Sequence, residues 1–164
     1  MNRNLLFVVV VSFLTLQPLA QSNDDGIDPH SWGRVFFAPG VSTRGSYSTL
    51  LMGVGGEGRI AGGPVAASVD VGWLAPSGSL GGGIGTLAPG AGYYFGHGRT
   101  RPFVNGGYTL FFREGAANGF FFGGGINHWM RERWGLGFEV RDEVFGVRYR
   151  DQHFVQFRFN VLLR

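Results

Sequence analysis

The segment RWGLGFEVR, residues 133–141, alternates between apolar residues and polar or small ones. Its apolar residues share one face of an extended chain: Trp134, Leu136, Phe138 and Val140. The final segment repeats the pattern, with Val155, Phe157, Phe159 and Val161 on one face. Gln156, Arg158 and Asn160 form its other face. A period of two is that of a β-strand whose two faces meet different surroundings.

Turn residues divide the remaining chain into further segments of this kind. The strands are predicted at 33–42, 47–60, 64–75, 80–95, 101–113, 119–130, 133–142 and 152–163. The longest connection is then Asp142–Asp151, and Pro89 in the fourth strand predicts a kink or bulge. Because a closed sheet exposes no edge, we predict an all-β, eight-stranded antiparallel up-and-down barrel.

The polarity of the two faces favours a transmembrane β-barrel over a soluble lipocalin-like carrier, which would put the apolar stripe inside. The polar faces hold glycine, Asn and Gln with few charges, whereas a soluble surface is richer in Lys and Glu. Glycines on these faces leave room in a narrow lumen: Gly53, Gly55, Gly123, Gly125, Gly135 and Gly137. The predicted lipid-facing residues are Trp134, Leu136, Phe138, Val140, Val155, Phe157, Phe159 and Val161.

Aromatic residues concentrate near the predicted strand ends, as in the girdles that membrane barrels carry at both interfaces. The predicted girdle comprises Trp32, Trp73, Tyr93, Tyr94, Phe95, Phe111, Phe112, Trp129, Trp134 and Tyr149.

Charged residues in the polar phase are predicted to face the lumen as a network: Arg34, Glu57, Arg59, Asp70, Glu139, Arg141 and Arg158. Charges in a narrow barrel must be paired. Glu139 and Arg158 lie on adjacent strands, so we expect a cross-strand ion pair. We interpret the network as a structural staple, and a gate or small porin-like channel is the alternative.

Composition excludes several classes of chemistry. All 14 basic residues are arginines and cysteine is absent, which excludes a P-loop lysine, a Schiff base, a thiolate nucleophile and a disulfide framework. The net charge of +3 is scattered, so nucleic acid is not an expected partner. Glycine contributes 30 of 164 residues, which is far above the usual share of about 7%.

The first residues have the layout of an export signal. Arg3 precedes the apolar stretch Leu5–Leu16, and Ala20-Gln21-Ser22 places small residues at a cleavage site. The apolar stretch is shorter than the roughly 20 residues of a membrane-spanning helix. We therefore predict a signal peptide at 1–22, a polar leader at 23–31 and a barrel domain at 32–164.

No catalytic, cofactor-binding or metal-binding residues are predicted. His30, His97, His128 and His153 lack zinc-site spacing and an obvious acid partner. Nucleophilic hydrolysis would need a serine with a positioned histidine and acid, and no serine follows Ser79. His128 is followed by Trp129 and Met130, which departs from the His-x-Ser arrangement of lipid A 3-O-deacylases. A lipid-modifying outer-membrane enzyme therefore stays an alternative only.

The C-terminal half resembles the ending of small bacterial outer-membrane β-barrel proteins of the OmpA-like and OmpX-like kind. The resemblance rests on GGGINHWMRERWGLGFEVRD at 123–142, on His153 and on FRFNVLLR at 157–164. It implies a monomer in the outer membrane of the cell envelope, with outer-membrane lipid as its surroundings. It also implies insertion by the barrel-assembly machinery through the alternating final strand. The role expected from this resemblance is structural or surface-interacting, without catalysis.

Overall fold

The computed structural model describes residues 30–43, 48–76, 82–96, 98–113, 116–147 and 150–164. The predicted signal peptide, the leader as far as Pro29, and the loop residues His97 and Tyr149 lie outside these ranges.

Eight antiparallel strands form one sheet that closes on itself in chain order. The strands are β1 (Ser31–Ser42), β2 (Ser48–Arg59), β3 (Val65–Pro76), β4 (Ile84–Tyr94), β5 (Thr100–Phe112), β6 (Ala116–Arg131), β7 (Trp134–Val147) and β8 (Arg150–Leu163). The barrel closes where β1 pairs with β8, with Val35 opposite Val161 and Val41 opposite Val155. The predicted eight-stranded up-and-down topology is confirmed.

In the part of the chain that the structure describes, no helix has the length and apolar character needed to span a membrane.

The predicted loop Asp142–Asp151 is wrong. It is largely strand, because β7 and β8 stay paired from Asp142 opposite Val155 to Val147 opposite Arg150. Asp142 interrupts the apolar stripe, so the alternation visible in the sequence ends before the strand does.

Pro89 inserts no bulge, since Leu87–Leu110 and Gly90–Gly107 continue one register. Ala88 and Pro89 themselves are not paired with β5. A register shift lies between Trp129 and Arg131, next to the β6–β7 turn.

The barrel has two ends, which we name by their contents. The terminal end carries Ser31, Leu163 and the connections 60–64, 95–99 and 132–133. The loop end carries the connections 43–47, 77–83, 113–115 and 148–149.

Apolar side chains cover the outside of the barrel and charged ones lie within it. Phe37, Phe122 and Phe159 are 48%, 58% and 52% exposed on the outer face. Glu139 and Arg158 are fully buried in the lumen. This polarity is the reverse of that of a soluble lipocalin-like carrier, which places its apolar stripe inside.

The aromatic girdle was predicted too broadly. Trp73, Tyr93, Phe95, Phe112 and Trp134 do lie on the outer face. The four others that the structure describes point into the lumen and are buried: Trp32, Tyr94, Phe111 and Trp129. Nearness to a strand end does not choose a face, whereas the position of a residue in the alternation does.

Candidate functional site

The lumen contains a layer of paired charges, the charged belt, formed by Arg34, Glu57, Asp70, Glu139, Arg141 and Arg158. Five of the eight strands supply these residues, each from an inward-pointing position along its length. Glycines on the same face provide the space. A Cβ atom at Gly55 would collide with the Asp70 carboxylate and would approach Arg34 Nε to 3.1 Å. The glycines on the lumen-facing side of β2 therefore leave the space that arginine side chains need inside so narrow a barrel.

Asp70 is the centre of the charged belt. Arg34 Nε donates to Asp70 Oδ1 at 2.9 Å. Arg141 Nη1 and Arg158 Nη1 donate to Asp70 Oδ2 at 3.1 and 3.0 Å. One carboxylate on β3 thus joins arginines from β1, β7 and β8, so it links distant parts of the barrel wall.

Two further carboxylates complete the neutralisation. Arg34 Nη1 lies 2.9 Å from Glu57 Oε2, and Arg141 Nε lies 2.7 Å from Glu139 Oε1. Glu139 and Arg158 occupy directly opposite positions on β7 and β8, with Nη1 and Oε2 3.5 Å apart. Three arginines and three acids therefore share the belt, which leaves it formally neutral. Such balance is what buried charges require.

Four further polar residues lie on the lumen side of the strands, and the sequence analysis did not assign them to the network. Tyr94 donates its hydroxyl to Glu57 Oε1 at 2.7 Å, and Asn105 Nδ2 donates to Glu139 Oε1 at 2.8 Å. Gln156 Nε2 donates to Glu143 Oε2 at 3.2 Å. All four of these residues occupy lumen-facing positions in the alternation of their strands. The alternation in the sequence was therefore the signal that could have assigned them to the network.

Arg59 was also predicted for the lumen network. Arg59 is at the last position of β2, at the terminal end, and its Nε donates to the Gly63 main-chain oxygen at 2.7 Å. It lies on the same face of β2 as Glu57, two residues closer to the terminal end, where the β2–β3 turn supplies one of its hydrogen-bond acceptors.

Apolar clusters lie in the lumen on both sides of the charged belt. The terminal plug comprises Trp32, Ala66, Tyr94, Phe103, Trp129 and Leu162. The loop-end plug comprises Phe36, Ala38, Leu51, Leu74 and Phe111, with Ile84 packed against it. Every buried member of the two plugs is 5% exposed or less. Buried polar side chains share the loop-end half of the lumen with its plug, among them Thr109, Glu143 and Gln156.

Cation–π contacts join the belt to the aromatic side chains on its loop-end side. The Arg158 guanidinium lies 3.9 Å from the centroid of the Phe36 ring, and the Arg141 guanidinium lies 4.0 Å from that of Phe121. Within the terminal plug, Trp32 packs edge-on against Tyr94 and Trp129, with ring centroids 5.6 and 6.0 Å apart. The hydroxyl of Tyr94 joins this plug to the belt through Glu57.

The residues predicted to face lipid lie on the outer surface of β7 and β8. Leu136, Phe138, Phe157 and Val161 have between 38% and 48% of their surface exposed. Trp134, Val140 and Phe159 are exposed as well, and Val155 is half-buried.

A histidine–carboxylate pair lies on the outer face near the loop end. His153 Nδ1 is 2.8 Å from Asp142 Oδ2, so His153 has the acid partner that the sequence did not reveal. The predicted loop at 142–151 had separated these residues, whereas the extended β7–β8 pairing makes them diagonal neighbours. Among the residues that the structure describes, no group of three or more His, Asp or Glu side chains could hold a metal ion.

No known protein family and no curated protein matches the sequence. Solved structures do match the fold. Neisserial surface protein A aligns with a TM-score of 0.64 at 14% identity, over 81% of this chain and 94% of its own. The N-terminal β-barrel domain of Pseudomonas aeruginosa OprF aligns with a TM-score of 0.58 at 12% identity, over 82% of this chain and 98% of its own.

A third similar structure is an enzyme. The outer membrane enzyme PagL aligns with a TM-score of 0.57 at 18% identity, over 77% of this chain and 97% of its own. Identities this low establish the fold alone, and one fold supports unrelated functions. The chain has the fold of the eight-stranded β-barrels of the bacterial outer membrane.

Proposed function

We propose that the chain is a monomeric outer-membrane β-barrel protein of the bacterial cell envelope, with a structural or surface-interaction role and no catalysis. The observation that carries the proposal is the inverted polarity of the barrel. Monomeric soluble proteins rarely expose apolar patches beyond a few hundred Å². An outer face with exposed Phe37, Phe122, Phe138 and Phe159 on several strands is suited to lipid.

The layered interior supports a stapled barrel over a porin-like channel. The belt residues pair with one another, and apolar clusters flank them on both sides, which fits a filled lumen better than a water-filled one. An eight-stranded barrel is in any case just wide enough for side chains to fill. Assembly would proceed through the barrel-assembly machinery, for which the outward stripe of β8 (Phe157, Phe159 and Val161) is the proposed signal.

Fractionation of expressing bacteria tests this proposal. The protein should stay with the outer-membrane fraction after high-salt and alkaline washes and should be released only by detergent. Purified protein should also fold into lipid vesicles and resist added protease there. Recovery of folded protein in the detergent-free soluble fraction would overturn the proposal.

A second candidate function, lipid hydrolysis on the outer face, is favoured by the His153–Asp142 pair. Side-chain exposures of 41% and 19% leave the imidazole accessible near the loop end. However, the Thr43 hydroxyl donates to the His153 main-chain oxygen at 3.4 Å and not to the ring. Among the residues that the structure describes, the pair thus has an orienting acid but no positioned nucleophile, and catalysis of this kind needs both.

Mass spectrometry of membrane lipids separates the two candidates. Cells expressing the wild type and cells expressing His153→Ala should have identical lipid profiles. A deacylated lipid that appears with the wild type and not with the variant would establish the enzyme instead.

A further inference from the structure

A hollow of about 530 Å³ opens at the terminal end of the barrel, lined by Arg99, Met130, Arg131, Glu132, Arg133 and Trp134. Three arginines against one glutamate give its lining a formal charge of +2. All six residues are exposed. The scattered positive charge of the sequence is therefore locally concentrated here by the fold.

Backbone pairing brings these arginines together from separate parts of the chain. Arg99 precedes β5, and its main-chain oxygen accepts a hydrogen bond from the Trp129 N–H at 2.8 Å. Arg133 lies in the β6–β7 turn, and its main-chain oxygen accepts from the Arg164 N–H at 3.0 Å. The register shift between Trp129 and Arg131 falls at the same place. The arrangement is thus fixed by the sheet.

The apolar members of the lining place the hollow at the boundary of the outer face. Met130 and Trp134 are 44% and 38% exposed on that face. Tryptophan at a strand end is typical of the membrane–water interface. Guanidinium groups bind phosphate oxygens in a planar, two-bonded geometry. An occupant with a phosphate at the arginines and acyl chains along Met130 and Trp134 would satisfy both kinds of lining.

We propose that this hollow binds the phosphodiester headgroup of an anionic phospholipid, such as phosphatidylglycerol, in the leaflet at the terminal end. The inference rests on the proposed membrane location and adds a lipid preference to it. The positive lining repels the cation of a zwitterionic headgroup, whereas an anionic headgroup carries no such cation. The site therefore selects by headgroup charge.

Site-specific quenching tests the proposal. Because the chain has no cysteine, Leu136→Cys can carry a single dye on the outer face, two residues beyond Trp134 and outside the lining. Phe112→Cys carries the same dye at the loop end. Both proteins are folded into mixed vesicles of fixed composition. The brominated tails are placed either on phosphatidylglycerol or on phosphatidylcholine.

The dye at 136 should be quenched at least about twofold more by brominated phosphatidylglycerol than by brominated phosphatidylcholine, because basic residues at the surface enrich anionic lipid. For the dye at 112, the ratio of quenching by brominated phosphatidylglycerol to quenching by brominated phosphatidylcholine should be near one. The triple variant Arg99→Ala, Arg131→Ala, Arg133→Ala should lower the ratio at 136 to one. Arg113→Ala, which removes an exposed arginine at the loop end, should not. If the triple variant fails to fold, Arg131→Gln with Arg133→Gln tests the same loss.

Two results would count against the proposal in distinguishable ways. Equal quenching by both lipids at 136 would overturn the binding site while leaving the membrane location intact. Quenching at neither position would overturn the proposed membrane location itself.

Discussion

At the scale of single residues, the charges of the belt depend on one another. Glu139 accepts from Arg141 and Asn105 at 2.7 and 2.8 Å and is fully buried. Glu139→Ala would leave Arg141 and Arg158 with only Asp70 in common. Removing one partner of a buried ion pair costs about 3–5 kcal/mol, because the remaining charge stays desolvated.

Glu139→Ala should therefore lower the urea midpoint of unfolding from vesicles well below that of Glu132→Ala, which removes an exposed charge in a turn. Glu139→Gln, which keeps the side-chain size but removes the charge, should lower the urea midpoint nearly as much as Glu139→Ala. Equal midpoints for the variants at 139 and 132 would contradict a buried network.

The glycines of the strands also differ residue by residue. A Cβ atom at Gly125 would collide with the Phe138 main-chain oxygen and approach the Glu139 Cα to 2.8 Å. A Cβ atom at Gly56 meets nothing within 4 Å. Gly125→Ala should destabilise the barrel by about 1–3 kcal/mol, the usual cost of overpacking. Gly56→Ala, also in a strand, should change the free energy of unfolding by less than about 0.5 kcal/mol. A tolerated alanine at 125 would mean that the wall yields more easily than its backbone contacts indicate.

At the scale of elements, the alternation within a strand predicts which face of the barrel a side chain occupies better than its residue type does. Trp32 and Trp73 are the same residue near strand ends, but Trp32 is in phase with Arg34 and buried, whereas Trp73 is 45% exposed. That phase was readable in the sequence. The partners of Asp70 could not be predicted from the sequence. Its ion pairs with residues of β7 and β8 depend on which inward-facing positions lie at the same height along the axis of the closed barrel. Strand ends were likewise hidden where Asp142 broke the stripe.

Strand β8 allows the polarity of an element to be tested. Phe159 is 52% exposed, and its ring lies 5.4 Å from Phe138 on the neighbouring strand. An arginine on the lipid face at the bilayer midplane costs about 2–4 kcal/mol. Phe159→Arg should therefore impair folding into vesicles, while Phe159→Leu should fold nearly as well as wild type. Equal folding yields for the two variants would mean that β8 does not contact lipid.

Labelling gives a second measure of the same strand. A dye on Phe159→Cys should be quenched by brominated lipid tails. Gln156→Cys should resist a water-soluble thiol reagent in the folded protein, because position 156 is fully buried in the lumen. Rapid reaction at 156 would indicate an open, hydrated interior.

At the scale of the whole molecule, the layered lumen determines whether the barrel conducts. Each plug draws its side chains from several strands: Trp32, Tyr94, Phe103 and Trp129 at the terminal end, and Phe36, Leu51, Leu74 and Phe111 at the loop end. Between them the belt binds its charges to one another. The two plugs share no residue, so opening one leaves the other in place.

The wild type should therefore produce no discrete current steps in a planar lipid bilayer. Trp129→Ala should also be silent, since it opens the terminal plug while the loop-end plug and the belt remain. This variant loses a large buried side chain, at a cost of about 3–5 kcal/mol. Insertion must then be verified in the same preparation, by lipid quenching of a dye at position 159. Steps with the inserted wild type would identify a conducting path through the belt and replace the staple with a pore. Steps with Trp129→Ala alone would show that the loop-end plug is not an independent seal.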